Sequence, residues 1–382
     1  MKTTENLDNY CWVDDIFLTP EELTAVAERF GAPLFLYDEK GLRQRAKSLF
    51  SLFPEAGERH YFPVRKCYEP EILKIIAQTG MGMQCQTPKE LELALACGCP
   101  GEKILYCAVA LEDSVRSRLI EIGATLQVAS PLVFGKPLPK RVFLLCWVPR
   151  GHNSNNLHEC IGFSQEELPA AVDELRRAGV EAIGLTMRYD GNVSDEIFLS
   201  KQLAAAICIA KELQEKARPV EELHLDGGLG VKYNKIKRIP MEPQLAADAV
   251  TAVMGDCQMP VSMTLGMFLL EPCAIFMARV LGVQQSNFPV VLIDAPTSLI
   301  RFSTIDRYHH LSIVGKSNVQ DRCTCYVAGN LPRFDDWLGK RRILPYAEAG
   351  DLLLVHDVGC SVRPGMDARC VLVREDGSIL PL

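Results

Sequence analysis

Between residues 35 and 270, short apolar or β-branched runs alternate with helical patterns, and this alternation restricts the fold more than any other feature of the 382-residue chain. The runs are His60-Tyr61-Phe62-Pro63-Val64, Gly82-Met83-Gln84-Cys85, Lys103-Ile104-Leu105-Tyr106, Thr125-Leu126-Gln127-Val128, Val142-Phe143-Leu144-Leu145, Ala182-Ile183-Gly184-Leu185, Leu223-His224-Leu225 and Val261-Ser262-Met263. They read as eight parallel strands buried on both faces. Helical patterns fill residues 70–78, 88–96, 112–122, 165–178, 196–217 and 241–253. Thr87-Pro88-Lys89-Glu90 supplies a capping Thr, a Pro at the first helical position and a Glu three residues after the cap. The alternation predicts an α/β fold, a (β/α)8 TIM-like barrel with its functional groups at the C-terminal strand ends. A doubly wound sheet is the alternative. Residues 130–141 (SPLVFGKPLPKR) are too short and proline-rich for a full helix, so one α element is expected to be reduced or missing.

After residue 271 the texture changes to short strand-like runs between turns: Val290-Val291-Leu292-Ile293, Leu311-Ser312-Ile313-Val314, Leu352-Leu353-Leu354-Val355 and Val371-Leu372-Val373. Residues 271–382 are therefore expected to form a C-terminal β domain, 35–270 the barrel, and 1–34 an N-terminal segment joining the β domain. A hydrophobic fraction of 48% fills such cores. The net charge of −7 and the lack of a Lys/Arg-rich run argue against nucleic acid or an anionic membrane as the main partner. No run suits a membrane-spanning helix or a signal peptide, which predicts a cytoplasmic protein. Fifteen cysteines in such a chain are expected to stay reduced. The C-x-C pairs Cys97/Cys99 and Cys323/Cys325 lack metal-site spacing, and so does the His152-to-Cys160 segment, which reads as a polar active-site loop.

Four stretches resemble the ornithine/diaminopimelate/arginine decarboxylase family, whose fold is shared with alanine racemase. They are Gly31-Ala32-Pro33-Leu34-Phe35-Leu36-Tyr37-Asp38, the run TPKELELALAC from Thr87 to Cys97, Gly227-Gly228-Leu229-Gly230 with Tyr233, and Glu271-Pro272. The resemblance implies an alanine-racemase-like barrel with a β domain. It also implies pyridoxal 5′-phosphate carried on a lysine at a barrel strand end, and removal of the α-carboxylate of an amino acid. By resemblance Gly227, Gly228 and Gly230 cradle the phosphate, and Glu271 pairs with the pyridine nitrogen, keeping the ring an electron sink.

The lysine position is divided between two residues. The family's Tyr-Ala-Val-Lys-Ala-Asn aligns without a gap to Phe62-Pro63-Val64-Arg65-Lys66-Cys67, which puts Arg65 where the lysine belongs, with Lys66 next to it. On a regular strand the two would face opposite sides, so Lys66 reaches the barrel mouth only if Pro63 bends the strand. Other family positions are rewritten. Arg188 stands for the ring-stacking imidazole, Gln84 for an early aspartate, Ser361 for a tyrosine, and the arginine after the Glu-Pro pair is missing from Glu271-Pro272-Cys273-Ala274. Tyr326-Val327-Ala328-Gly329-Asn330 occupies the segment that carries a cysteine and a substrate-binding aspartate in the family. Arg65 and Arg188 suit a phosphate or carboxylate, or else outer-face ion pairs. Arg65, Tyr326, Asn330 and Ser361 are the candidate residues for a substrate or other anion. Cys67, Cys160, Cys273 and Cys360 fall beside the site, where a thiolate near arginine would have a lowered pKa. Cys360 is the candidate for returning a proton to the substrate carbon.

Two functions follow from this reading. One is a divergent pyridoxal-phosphate-dependent decarboxylase held on Lys66, with a racemase-like enzyme or a cofactor carrier not separable from it. The other is a catalytically degenerate homologue that binds an anionic small molecule or regulates an active relative by mixed pairing. The resemblance implies a homodimer.

Overall fold

The structure is a computed structural model that describes residues 16–52, 59–146, 161–188, 196–227, 229–231, 233, 243–301 and 309–382. The chain divides into a sheet unit, Met1–Leu42, Lys232–Pro240 and Leu270–Leu382, and a barrel unit, Arg43–Val231 and Met241–Leu269. Where the sequence suggests a boundary at residue 34, the units part at Leu42.

In the barrel unit, strands Tyr61–Pro63, Gly82–Cys85, Ile104–Ala108, Thr125–Val128, Arg141–Cys146, Ala182–Arg188, Glu222–Asp226 and Val261–Thr264 close into a barrel. Each pair is parallel, and the closing register sets Tyr61 opposite Thr264. All eight predicted runs are present, and the doubly wound alternative is excluded by closure. Between Thr125–Val128 and Arg141–Cys146 a single short turn, Pro131–Val133, stands in for the expected helix. Carbonyls of this connection find a donor on the neighbouring helix: buried Arg116 donates through Nη1 to Val133 O (3.2 Å) and Pro137 O (3.1 Å). This satisfies acceptors that a full helix would have paired internally.

At the start of helix Pro88–Ala96, the Thr87 hydroxyl accepts from the Glu90 N–H at 3.2 Å. The Glu90 carboxylate reaches one residue past the cap, accepting from the Gln86 N–H at 2.7 Å. Side chains alternate about the barrel wall with the two-residue period of a strand. Tyr61, Leu105 and Phe143 form its central plug, with His224 against the Tyr61 and Phe143 rings (centroids 5.6 Å in each case). At the N-terminal end of the same strand as His224, buried Glu222 holds both Arg59 and Arg141 on one oxygen, Oε2.

Among the described residues the sheet unit has nine strands. Its main path runs Trp337–Pro345, Arg322–Ala328, Val290–Ile293, Ala274–Gln284, Leu34–Asp38, Cys370–Val373, Ile379–Pro381. Leu352–His356 pairs with Ala274–Gln284 and with Leu311–Ile313. Leu34–Asp38 is an inner strand here, antiparallel to Ala274–Gln284 and parallel to Cys370–Val373. Helix Pro20–Phe30, with a complete capping box between Thr19 and Glu22, buries Leu23, Val26 and Ala27 against Leu34, Leu36, Met277 and Leu354. Among the described residues no helix is long and apolar enough to cross a membrane.

Candidate active site

The first barrel strand stops at Pro63, whose ring leaves no N–H for a further ladder bond. Val64–Lys66 then make one tight turn, closed by the Cys67 N–H on Val64 O (3.0 Å). A turn with about three residues per revolution replaces the strict alternation of a strand. Arg65 and Lys66, which an extended chain would send to opposite faces, consequently line one cavity of about 250 Å³. Arg188, Asp226, Gly227 and Gly230 line it too. All stand at the C-terminal ends of strands, the end where barrels of this kind place their chemistry. Gly266 lets the Lys66 stem lie close: a Cβ there would fall 2.8 Å from Pro63 Cγ and 3.0 Å from Lys66 Cγ. Among the described residues the Lys66 amine makes no hydrogen bond or ion pair.

Beside the lysine, a polar network crosses the barrel mouth. Buried Gln84 accepts from Arg65 Nη1 at 2.6 Å and donates through Nε2 to Asp226 Oδ1 (3.1 Å) and Thr264 Oγ1 (3.2 Å). Arg188 Nε donates to the other Asp226 oxygen at 3.1 Å. Burial would raise the Asp226 carboxyl, but Arg188, Arg65, His224 and the Gln84 amide together hold it below the usual carboxylate range. It is therefore an anion at neutral pH, which fixes Arg188 in the cavity. One layer deeper, His224 lies between Ser262 Oγ (2.9 Å) and Thr264 Oγ1 (3.1 Å). Burial lowers its pKa to about 4 against the pull of Asp226, so the ring is neutral. Asp226 and Thr264 are site residues that the motifs do not mark. Their signal was the two-residue spacing His224/Asp226 and Ser262/Thr264, polar pairs on the inner face at strand ends.

The glycine exit begins at Gly227, whose φ of +94° suits glycine. Gly228 and the segment from His152 to Cys160 lie outside the described residues. Cys67 does not fit a low-pKa thiolate: complete burial pushes its thiol up to about 12. Proximity to arginine in sequence placed it near charge, but its side chain turns into the protein core.

In the sheet unit Glu271 is 4% exposed and is surrounded by donors. Its carboxylate accepts from Tyr233 Oη (3.0 Å), Ser361 Oγ (3.3 Å) and the Cys360 N–H (3.1 Å). Burial first, and the nearby Glu271 charge second, raise the Tyr233 phenol well above its ordinary value, so it remains a donor. Tyr326 packs between Phe288 and Trp337, with ring centroids 5.5 Å from each. The Asn330 amide donates to Asp294 O at 3.1 Å. Tyr233 follows the glycine motif in sequence, but its role as donor to Glu271 appears only in the fold.

A barrel that gathers an amine without a partner among the described residues, two guanidinium groups and a glycine turn at its strand ends defines a class: barrels whose mouth suits a phosphorylated cofactor. The family model described as pyridoxal-dependent decarboxylase, C-terminal sheet domain, matches residues 34–359, and the chain belongs to that family. Protein TabA of Pseudomonas amygdali pv. tabaci is 25% identical over 360 residues, covering 90% of this chain and 84% of its own length. The diaminopimelate decarboxylase of Aquifex aeolicus is 21% identical over 364 residues, covering 90% and 86%. Among solved structures, the diaminopimelate decarboxylase of M. jannaschii in co-complex with L-lysine superposes with a TM-score of 0.79 at 21% identity, covering 94% of this chain and 91% of that one. Lysine/ornithine decarboxylase from Vibrio vulnificus, complexed with cadaverine, gives 0.72 at 16%, covering 93% and 98%. These superpositions establish the fold, an alanine-racemase-like barrel with a sheet domain.

Pyridoxal phosphate is the cofactor that the family implies. The residues of the barrel mouth fit it: a primary amine with no internal partner among the described residues, a glycine turn, and Arg188 anchored by an ionised aspartate.

Proposed function

We propose that the protein is a pyridoxal-phosphate-dependent amino-acid decarboxylase that uses Lys66 to hold its cofactor. The observation that carries the reading is the turn after Pro63, which brings the Lys66 amine, without a partner among the described residues, into the same cavity as Gly227, Gly230 and Arg188. Pyridoxal phosphate, when bound, supplies the sink for the electron pair left as the carboxylate departs. Gly227 and Gly230 offer backbone N–H groups to the phosphate, Gly228 is assigned there by resemblance alone, and Arg188 adds a charged donor held in place by Asp226. By resemblance we assign Glu271 to the ring nitrogen and Cys360 to the return of a proton to the substrate carbon. Within their own unit, the support is that three donors converge on Glu271, a pattern that favours its anion, and that the Cys360 N–H is one of them. Pairing of two copies is proposed on the same resemblance.

A second reading has one observation in its favour. Arg65 occupies the register of the family's lysine and is already bound to Gln84, as a catalytically degenerate anion-binding homologue would require. One experiment separates the two. The protein is purified with excess pyridoxal phosphate and reduced with borohydride, and its peptides are mapped by mass spectrometry, with Lys66→Ala as control. A pyridoxyl group on Lys66, absent from the variant, is the expected result. A colourless protein with no adduct would overturn the enzyme reading in favour of the second.

A further inference from the structure

Arg65 differs from Arg188, Arg59 and Arg141 in what it touches. Arg188 lies on Asp226, and Arg59 and Arg141 share Glu222. Arg65 is half-buried, and its hydrogen bond runs to the neutral oxygen of Gln84. Among the described residues no carboxylate lies within ion-pair distance of it. Only one of its five N–H donors is used in that bond. Asp226, whose charge Arg65 feels, lies on the far side of Gln84 and is paired with Arg188, so an anion arriving at the guanidinium meets a cation with no direct ion pair among the described residues. Gln84 fixes the direction: its amide N–H₂ is committed to Asp226 and Thr264, so its oxygen must face Arg65 and hold the guanidinium at the cavity wall.

We propose that Arg65 is the receptor for a side-chain anion of the substrate, so that the enzyme takes an acidic amino acid instead of a basic one. This rests on the reading that Lys66 holds the cofactor in the same cavity. Three considerations select the side chain as the source of the anion. The cofactor phosphate has its own donors in the glycine turn and Arg188. The α-carboxylate is the group to be lost, and a guanidinium bound to it would be strongest in the ground state and weaken toward the transition state, which slows the step. A distal ammonium would need a carboxylate in the cavity wall. Among the described lining residues Asp226 is the sole acid, and it is taken by Arg188 and Gln84. Arg65 and Lys66 are consecutive, so the amino group and the anion must lie close together, as they do in a short dicarboxylic amino acid.

The test uses glutarate, a dicarboxylate with no amine to react with the cofactor, titrated calorimetrically into the cofactor-loaded protein, with putrescine as the opposite probe. Glutarate is expected to bind the wild type, and to bind Arg65→Gln about tenfold or more weakly. Arg65→Lys, which keeps the charge without the fork, should fall between. Putrescine should give no heat. Equal glutarate affinity in wild type and Arg65→Gln, or tighter binding of putrescine than of glutarate, overturns the proposal. Borohydride labelling of the same preparations keeps the two failures apart. A labelled Lys66 with Arg65-independent glutarate binding sinks this inference alone, whereas an unlabelled Lys66 sinks the reading on which it rests.

Discussion

The two ends of the barrel solve the same problem in opposite ways. Both use one strand, Glu222–Asp226, to place a buried carboxylate on the inner face, four residues apart. At the N-terminal end Glu222 draws Arg59 and Arg141 onto a single oxygen, and the ion pairs close the barrel. At the C-terminal end Asp226 receives Arg188, but a neutral amide, Gln84, stands between it and Arg65. One end therefore spends its cations on itself, while the other keeps Arg65 and Lys66 available. The difference teaches that the mouth is polar by arrangement: residues of the same types, differently spaced, make a plug at one end and a site at the other.

Substitutions at the two ends should have separable effects. The largest is expected from Lys66→Ala, which should abolish covalent cofactor retention while leaving the thermal midpoint of the cofactor-free protein nearly unchanged. A fall in that midpoint would place Lys66 among the structural residues. Glu222→Ala should show the reverse pattern, a loss of about 2 kcal/mol in urea unfolding with normal labelling, because it leaves two half-exposed arginines without their buried anion. If Glu222→Ala also lost the cofactor, the two ends would be coupled and the comparison broken.

A third prediction concerns His224, between the two ends. Its folded pKa of about 4 lies below its ordinary value of 6.5. The unfolded chain therefore binds the extra proton first, and stability is full above pH 6.5 and falls as the pH drops toward 4. Between pH 7 and pH 5 the wild type should lose about 2 kcal/mol more than His224→Gln in chemical denaturation. Parallel pH profiles would mean that the ring is solvated. The smallest effect belongs to the outer layer: Thr87→Ala removes one helix cap and should cost about 1 kcal/mol with cofactor labelling unaffected.

The barrel was legible because strands covered on both faces must be apolar along their whole length, and each such run stands out between amphipathic helices. The shortened connection at Pro131–Val133 was legible from its prolines. The place of Leu34–Asp38 was not, because its partners Ala274–Gln284 and Cys370–Val373 lie far along the chain and no local pattern encodes the pairing. At the site, the sequence reading located Arg65, Lys66 and Arg188 but could not decide which way Lys66 turns. That depends on the backbone after Pro63, and the ring shows only where the strand must stop. Gln84 read simply as a lost aspartate. Its bonds to Arg65, Asp226 and Thr264 come from three other strand ends and exist only once the barrel closes. Cys67 misled because neighbouring Arg65 is visible in the sequence while burial of the thiol is not.

The pairing of Leu34–Asp38 also bears on the order in which the protein is made. This strand leaves the ribosome before any barrel strand, yet its antiparallel neighbour follows the last barrel strand and its parallel neighbour comes later still. Throughout synthesis of the barrel, an apolar strand with both edges open must wait for its partners, and contacts across such long separations form slowly. Nascent chains halted before residue 274 would therefore expose Leu34, Phe35, Leu36 and Tyr37 together, a natural mark for a holding chaperone.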